Sequence, residues 1–193
     1  MFERGDIVVN YRKKYKGPFK YLLTRLICFF TTAYWKDEAT SKVYHAEMVY
    51  TPSDTLNEVK DISQEWPCVK ITDFGKLSRK AVFRLKNKPV DFEAKFEEYC
   101  TKTIGQPYDW PKILMMAFFW LFRGTGLARL FVNLAGSRKR DICSEYVAKF
   151  YKYETGVMCA NVEPGYTAPD DILDYCHDHP ELFDIIIDNE GDV

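Results

Sequence analysis

Residues 43–50 read Val43-Tyr44-His45-Ala46-Glu47-Met48-Val49-Tyr50. The run is short and rich in β-branched and aromatic residues, so it reads as a strand. Strand alternation puts His45 and Glu47 on one face and Tyr44, Ala46 and Met48 on the other. Pro52, Ser53 and Asp54 follow with turn chemistry. Residues 56–62 then read as a second strand, which closes a hairpin. Further out, residues 6–10 (DIVVN), 68–72 and 81–86 (AVFRLK) supply three more short strands. Helical spacing marks residues 19–35, where Leu22, Leu23, Leu26, Ile27 and Phe30 share a face. Residues 91–103 form a second helix, with Asp91 placed as an N-cap or first-turn acid. Residues 111–134 read as mostly helical, broken near Gly124 and Gly126. Helices over 142–153 and 169–179 complete the set, the last with Pro169 in its first turn and acids after it. The pattern predicts one α+β domain over residues 1–193, a small antiparallel sheet packed against helices.

Composition fits that reading. The chain has 193 residues, 47% of them hydrophobic and 16% aromatic, enough to build a core and too ordered in character for disorder. Lys and Arg total 27 against 28 for Asp and Glu, a formal net charge of -1. A globally basic nucleic-acid binder is excluded by that balance, and no nucleic-acid partner is expected. The first residues, MFERGDIVV, lack the charged and apolar regions of a signal peptide, so a cytoplasmic setting is the expectation. In a reducing compartment most of the six cysteines should be free thiols. The longest apolar run, residues 113–122, is shorter than the roughly 20 residues that span a bilayer. It reads as part of a buried or amphipathic helical hairpin, with peripheral contact at a membrane surface as the minority reading.

Three imidazoles and six thiols bound the available chemistry. Cys143 sits in Arg140-Asp141-Ile142-Cys143-Ser144-Glu145, at the expected start of a helix. The helix dipole and its unpaired N–H groups favour a thiolate there and can hold an oxyanion. His45 on its strand can present an imidazole to that thiol. Glu58, expected on the partner strand across the turn, would orient the ring, and Glu47 competes for the same role. Cys176-His177-Asp178-His179 suggests zinc, but no second ligand pair has matching spacing. His177 and His179 therefore read as exposed residues at a helix end, and no metal or other cofactor is expected.

In order along the chain come Gly5-Asp6-Ile7-Val8, His45, Asn57-Glu58-Val59, Val82-Phe83-Arg84-Leu85, Gly105-Gln106-Pro107-Tyr108-Asp109, Cys143-Ser144-Glu145 and Pro169-Asp170-Asp171-Ile172. This succession resembles the circularly permuted NlpC-like group of papain-like cysteine hydrolases, closest to its YiiX-like members, over nearly the whole chain. In that group the histidine strand precedes the cysteine helix, as it does here; the lecithin retinol acyltransferase-like proteins share the order. The resemblance implies a papain-like fold with Cys143 as nucleophile, His45 as general base and acid, and Glu58 as the residue that orients His45. It places Tyr108 and Asp109 near the substrate cleft. It implies a thiol hydrolase or acyltransferase acting on an amide, ester or thioester, with a peptide, peptidoglycan or lipid as substrate. Two features depart from the group: Glu47 in the His45 strand, and a long apolar stretch over residues 112–136 that reads as an insertion at the cleft. A binding or membrane-associated protein that keeps the fold without turnover is the alternative.

Overall fold

The computed structural model describes residues 1–11, 43–65, 67–109, 111 and 141–190. The expected helix over 19–35, the one over 111–134 apart from its first residue, and the apolar stretch over 112–136 lie outside the described residues. Six strands form one antiparallel sheet: β1 (Ile7–Tyr11), β2 (Val43–Thr51), β3 (Lys60–Gln64), β4 (Val69–Asp73), β5 (Lys80–Leu85) and β6 (Phe183–Asp188). Their spatial order is β4-β3-β2-β1-β5-β6. Three α-helices are described: α1 (Phe92–Thr103), α2 (Cys143–Lys149) and α3 (Pro169–Asp178). α2 continues as wider π-helical turns over Phe150–Thr155. The class is α+β.

Alternation along the strands divides the core. Ile7, Val9, Ala46, Met48, Ala81, Phe83 and Leu85 face the helices and pack with Phe92, Phe96, Tyr146, Val147, Phe150 and Ile172. Val8, Val49, Val59, Phe74 and Val82 form a smaller cluster. Rings lock the larger layer: Phe150 meets Phe92 and Phe96 edge-on at 5.4 and 5.2 Å between centroids. Edge-to-face contacts of this kind add about 0.5–1.5 kcal/mol each beyond area burial.

Two expectations need correction. Residues 56–58 are not strand: Leu56–Glu58 is a 3-10 turn, and β3 begins only at Lys60. The turn chemistry runs further than Pro52-Ser53-Asp54, because Ser53 Oγ accepts from the Thr55 N–H and donates to Glu58 Oε2. Strand β6 is also missing from the sequence reading. Its core, Ile185-Ile186-Ile187, is an unalternating apolar run, which periodicity alone does not assign. It pairs with β5 from Ala81↔Asp188 to Leu85↔Phe183.

Gly5 precedes β1 with φ +79°, and an added Cβ there would lie 2.4 Å from Phe92 Cζ. The Tyr151 hydroxyl donates to the Gly5 carbonyl at 2.6 Å, so the backbone is also held in place. Left-handed strain and overpacking against a buried ring should make Gly5→Ala destabilising by roughly 2–5 kcal/mol in urea denaturation. A change under about half a kcal/mol, the level of an inconsequential surface substitution, would mean that Phe92 yields freely.

Candidate active site

The sheet register brings the polar groups together. Asn10 on β1 lies opposite His45 on β2 and opposite Lys80 on β5, so the three form one row across three strands. The pairing of β2 with β3 runs from Met48↔Ile62 to Thr51↔Lys60. Beyond Met48, α2 packs against β2 and β3 and brings Cys143 to His45.

The start of α2 is fixed from three directions. Ser144 Oγ donates to the Thr167 carbonyl at 2.5 Å. Lys149 pairs with Asp141 and with Glu145, the latter at 3.1 Å. The Asp109 N–H donates to the Asp141 carbonyl at 3.1 Å, tying the Gly105-to-Asp109 loop to the same point. The Cys143 thiol is buried and hydrogen-bonded to His45, and the Ala46 and Ser144 backbone groups also bond to it. Burial disfavours its thiolate, but the His45 charge, the His45 hydrogen bond and those backbone donors outweigh burial and lower its pKa. For His45, burial opposes the charged form; the Cys143 thiolate and its hydrogen bond, then Glu47 and Glu65, raise the pKa to about 9. The two shifts are opposed, and both favour the thiolate–imidazolium form of the pair.

His45 Nε2 faces three oxygens: Ser63 Oγ at 3.3 Å, Glu65 Oε1 at 3.6 Å and Glu47 Oε2 at 3.7 Å. Glu58 is not among them. It ends the 3-10 turn, exposed, and accepts from Ser53 at 2.8 Å. The register slip at the turn is the cause: with the hairpin's second strand starting at Lys60, the residues that reach His45 are Ser63 and Glu65. Glu47, the competitor named from the sequence, is buried beside the imidazole. Nothing in local composition marks Ser63 or Glu65; their place follows from the β2–β3 register.

Tyr108 lies close enough to Cys143 for the thiolate charge to act on its phenol. Burial, then Cys143, Asp109 and Glu65, push that phenol well above its ordinary pKa, so it keeps its proton. Asp109 is buried beside it. His177 and His179 lie at the end of α3, paired with Asp188 at 3.2 Å and with the Tyr175 carbonyl at 2.9 Å. Cys68, Cys100, Cys143, Cys159 and Cys176 are all free thiols. Comparison with family models, curated proteins and solved structures finds no match to this chain.

His45, Glu47 and Glu65 offer ligand atoms within 4.8 Å of one another, the reach of one cation. Each carboxylate already has an ammonium on its other oxygen, Lys80 on Glu47 Oε1 and Lys70 on Glu65 Oε2, both at 2.8 Å. With those charges matched, the cluster suits a protonated imidazole better than a divalent ion. Among the described residues, no helix is long and apolar enough to cross a membrane.

Proposed function

We propose that this protein is a cysteine-dependent hydrolase or acyltransferase with a permuted papain-like arrangement, acting on an amide, ester or thioester. The observation that carries the reading is the hydrogen-bonded Cys143–His45 pair, with one pKa lowered and the other raised. Such opposed shifts at one site are the physical signature of an activated nucleophile. Since Nε2 faces Ser63, Glu65 and Glu47, Nδ1 is the nitrogen left for the thiol. Glu47, rather than Glu58, takes the orienting role, because it is buried and its Oε2 faces the ring.

Cys143 thiolate attacks the carbonyl carbon, and a C–S bond forms. The substrate's C–N, C–O or C–S bond then breaks, and the leaving group takes the proton from the His45 imidazolium. The product on the enzyme is a Cys143 thioester. Neutral His45 next takes a proton from water or an acceptor, which attacks the thioester and releases the sulfur as thiolate. Tyr108 keeps a hydroxyl proton beside the sulfur and can donate it to the carbonyl oxygen.

Incubation with p-nitrophenyl esters of graded chain length tests this reading. A nitrophenolate burst and a matching acyl mass on the peptide containing Cys143 are expected. A burst with the acyl group on another residue would overturn Cys143 as the nucleophile, and no adduct at any chain length with no reaction with amide or thioester probes would favour a non-catalytic binding protein.

A further inference from the structure

Lys80 opens β5 with a side chain only 4% exposed. A buried ammonium is costly unless opposite charge meets it. Two carboxylates do so: Glu47 Oε1 at 2.8 Å and Asp61 Oδ2 at 3.3 Å. The Phe74 ring centroid lies 4.0 Å from the Nζ. Asn10 Nδ2 donates to the same Glu47 oxygen at 2.6 Å.

The two carboxylates are unequal. Burial, then the neighbouring Glu47 charge, push Asp61 up to about 8, and its Oδ1 has no hydrogen-bond partner among the described residues. Asp61 is therefore mostly neutral at pH 7, and the lysine charge acts chiefly on Glu47. Burial also opposes ionisation of Glu47, but Lys80, His45 and the Asn10 hydrogen bond lower its pKa. Two donors hold Glu47 Oε1, so Oε2 is the oxygen turned to His45 at 3.7 Å.

We propose that Lys80 is a positioning residue for the Cys143–His45 pair, holding Glu47 as a buried carboxylate with one oxygen aimed at the imidazole. The inference rests on the reading of Cys143 and His45 as nucleophile and base. Lys80 acts only through Glu47. Its removal lets burial drive Glu47 towards the neutral form, and the imidazolium loses a counter-ion. Glu65, paired with Lys70, and the Cys143 thiolate remain its other charged neighbours.

The sign of the effect separates positioning from simple proximity. A cation near an imidazolium disfavours it, so deleting Lys80 as a bare charge would raise the His45 midpoint. Loss of the Glu47 carboxylate lowers it. The experiment is a histidine NMR titration of the full chain, run beside the pH profile of Cys143 alkylation by iodoacetamide. Lys80→Met should lower the His45 midpoint from about 9 by ~1–3 pH units, the usual effect of losing an opposite charge at this range. Lys80→Arg should restore most of the shift. Glu47→Gln should give the same downward shift, and adding Lys80→Met to it should lower the midpoint no further.

A raised or unchanged midpoint in folded Lys80→Met overturns the proposal. If circular dichroism shows that Lys80→Met does not fold, Asn10→Ala carries the test. It removes the other donor to Glu47 Oε1 and should shift His45 the same way by less, and no shift overturns the proposal. Failure of the catalytic reading would look different. Wild-type Cys143 would then lack alkylation on the acid side, while the Lys80 effect on His45 would still be measurable.

Discussion

Cys143→Ala should remove the protein's fast reaction with iodoacetamide at pH 6. Alkylation needs thiolate, and an unperturbed thiol with a pKa of about 8.5 is only ~0.3% ionised at that pH. The other thiols placed by the structure are worse nucleophiles or no better situated. Burial, against a hydrogen bond from Tyr146, pushes Cys100 up to about 12. Burial also pushes Cys159 and Cys176 far above the ordinary range. Cys68 is half-buried, in an isolated bridge with Pro107. Among the described cysteines, Cys143 is the one whose thiolate is favoured by His45 and by backbone donors. The gain in thiolate fraction outweighs the lower nucleophilicity of a low-pKa sulfur, so Cys143 should react about tenfold or more faster than an ordinary thiol. The pH dependence has a definite sign. Because its pKa is lowered, Cys143 should keep reacting below pH 8 and lose reactivity only as pH falls through that lowered value. Turnover, in contrast, should also fall on the alkaline side near pH 9, where His45 loses the proton that the leaving group needs. Time-resolved peptide mass spectrometry at pH 6 checks the first part. If the mutant labels as fast as wild type, a different thiol is the reactive one.

The parts legible in the sequence were those governed by local pattern. The DIVVN and VYHAEMVY runs became β1 and β2, and the helix over 91–103 became α1 with a one-residue difference at its start. Cys143 at a helix start and His45 on a strand are likewise local properties. What the sequence hid depends on register, which links residues far apart. Glu58 looked right because a strand at 56–62 would have carried it to His45. A 3-10 turn of three residues displaces that strand, and Ser63 and Glu65 arrive instead. Glu47 looked out of place on the His45 strand for a related reason. Its partners, Asn10 and Lys80, come from strands 37 and 33 residues away in sequence, and only the cross-strand row makes a buried carboxylate there reasonable. The triple-isoleucine strand β6 escaped because a short apolar run fits a strand and a buried helix equally well.

His45→Ala should produce the second large loss, and it discriminates among the carboxylates. Without the imidazole, Cys143 keeps its burial and loses the largest influences that favour its thiolate, so its pKa should return to or above the ordinary thiol range. The leaving amine or alcohol also loses the proton that the His45 imidazolium supplied. Acylation by an ester probe should slow by roughly 10²–10⁴-fold, the usual contribution of a positioned acid–base group. Alkylation at pH 6 should fall to the rate of an ordinary thiol. The fold should survive, because the carboxylates left behind keep their own partners: Glu47 retains Asn10 and Lys80, and Glu65 retains Lys70. Within this frame, Glu47→Gln should weaken acylation less than His45→Ala but measurably, since it removes one of the charges that stabilise the imidazolium. Glu58→Gln should change nothing beyond experimental error, because Glu58 is exposed and its partner is Ser53. Stopped-flow acylation of the three variants, with thermal melts to confirm folding, decides the matter. Equal losses in Glu47→Gln and Glu58→Gln would return the orienting role to Glu58 and require the hairpin to rearrange on substrate binding. A full-rate His45→Ala would leave the thiol without a base and end the acyl-transfer reading.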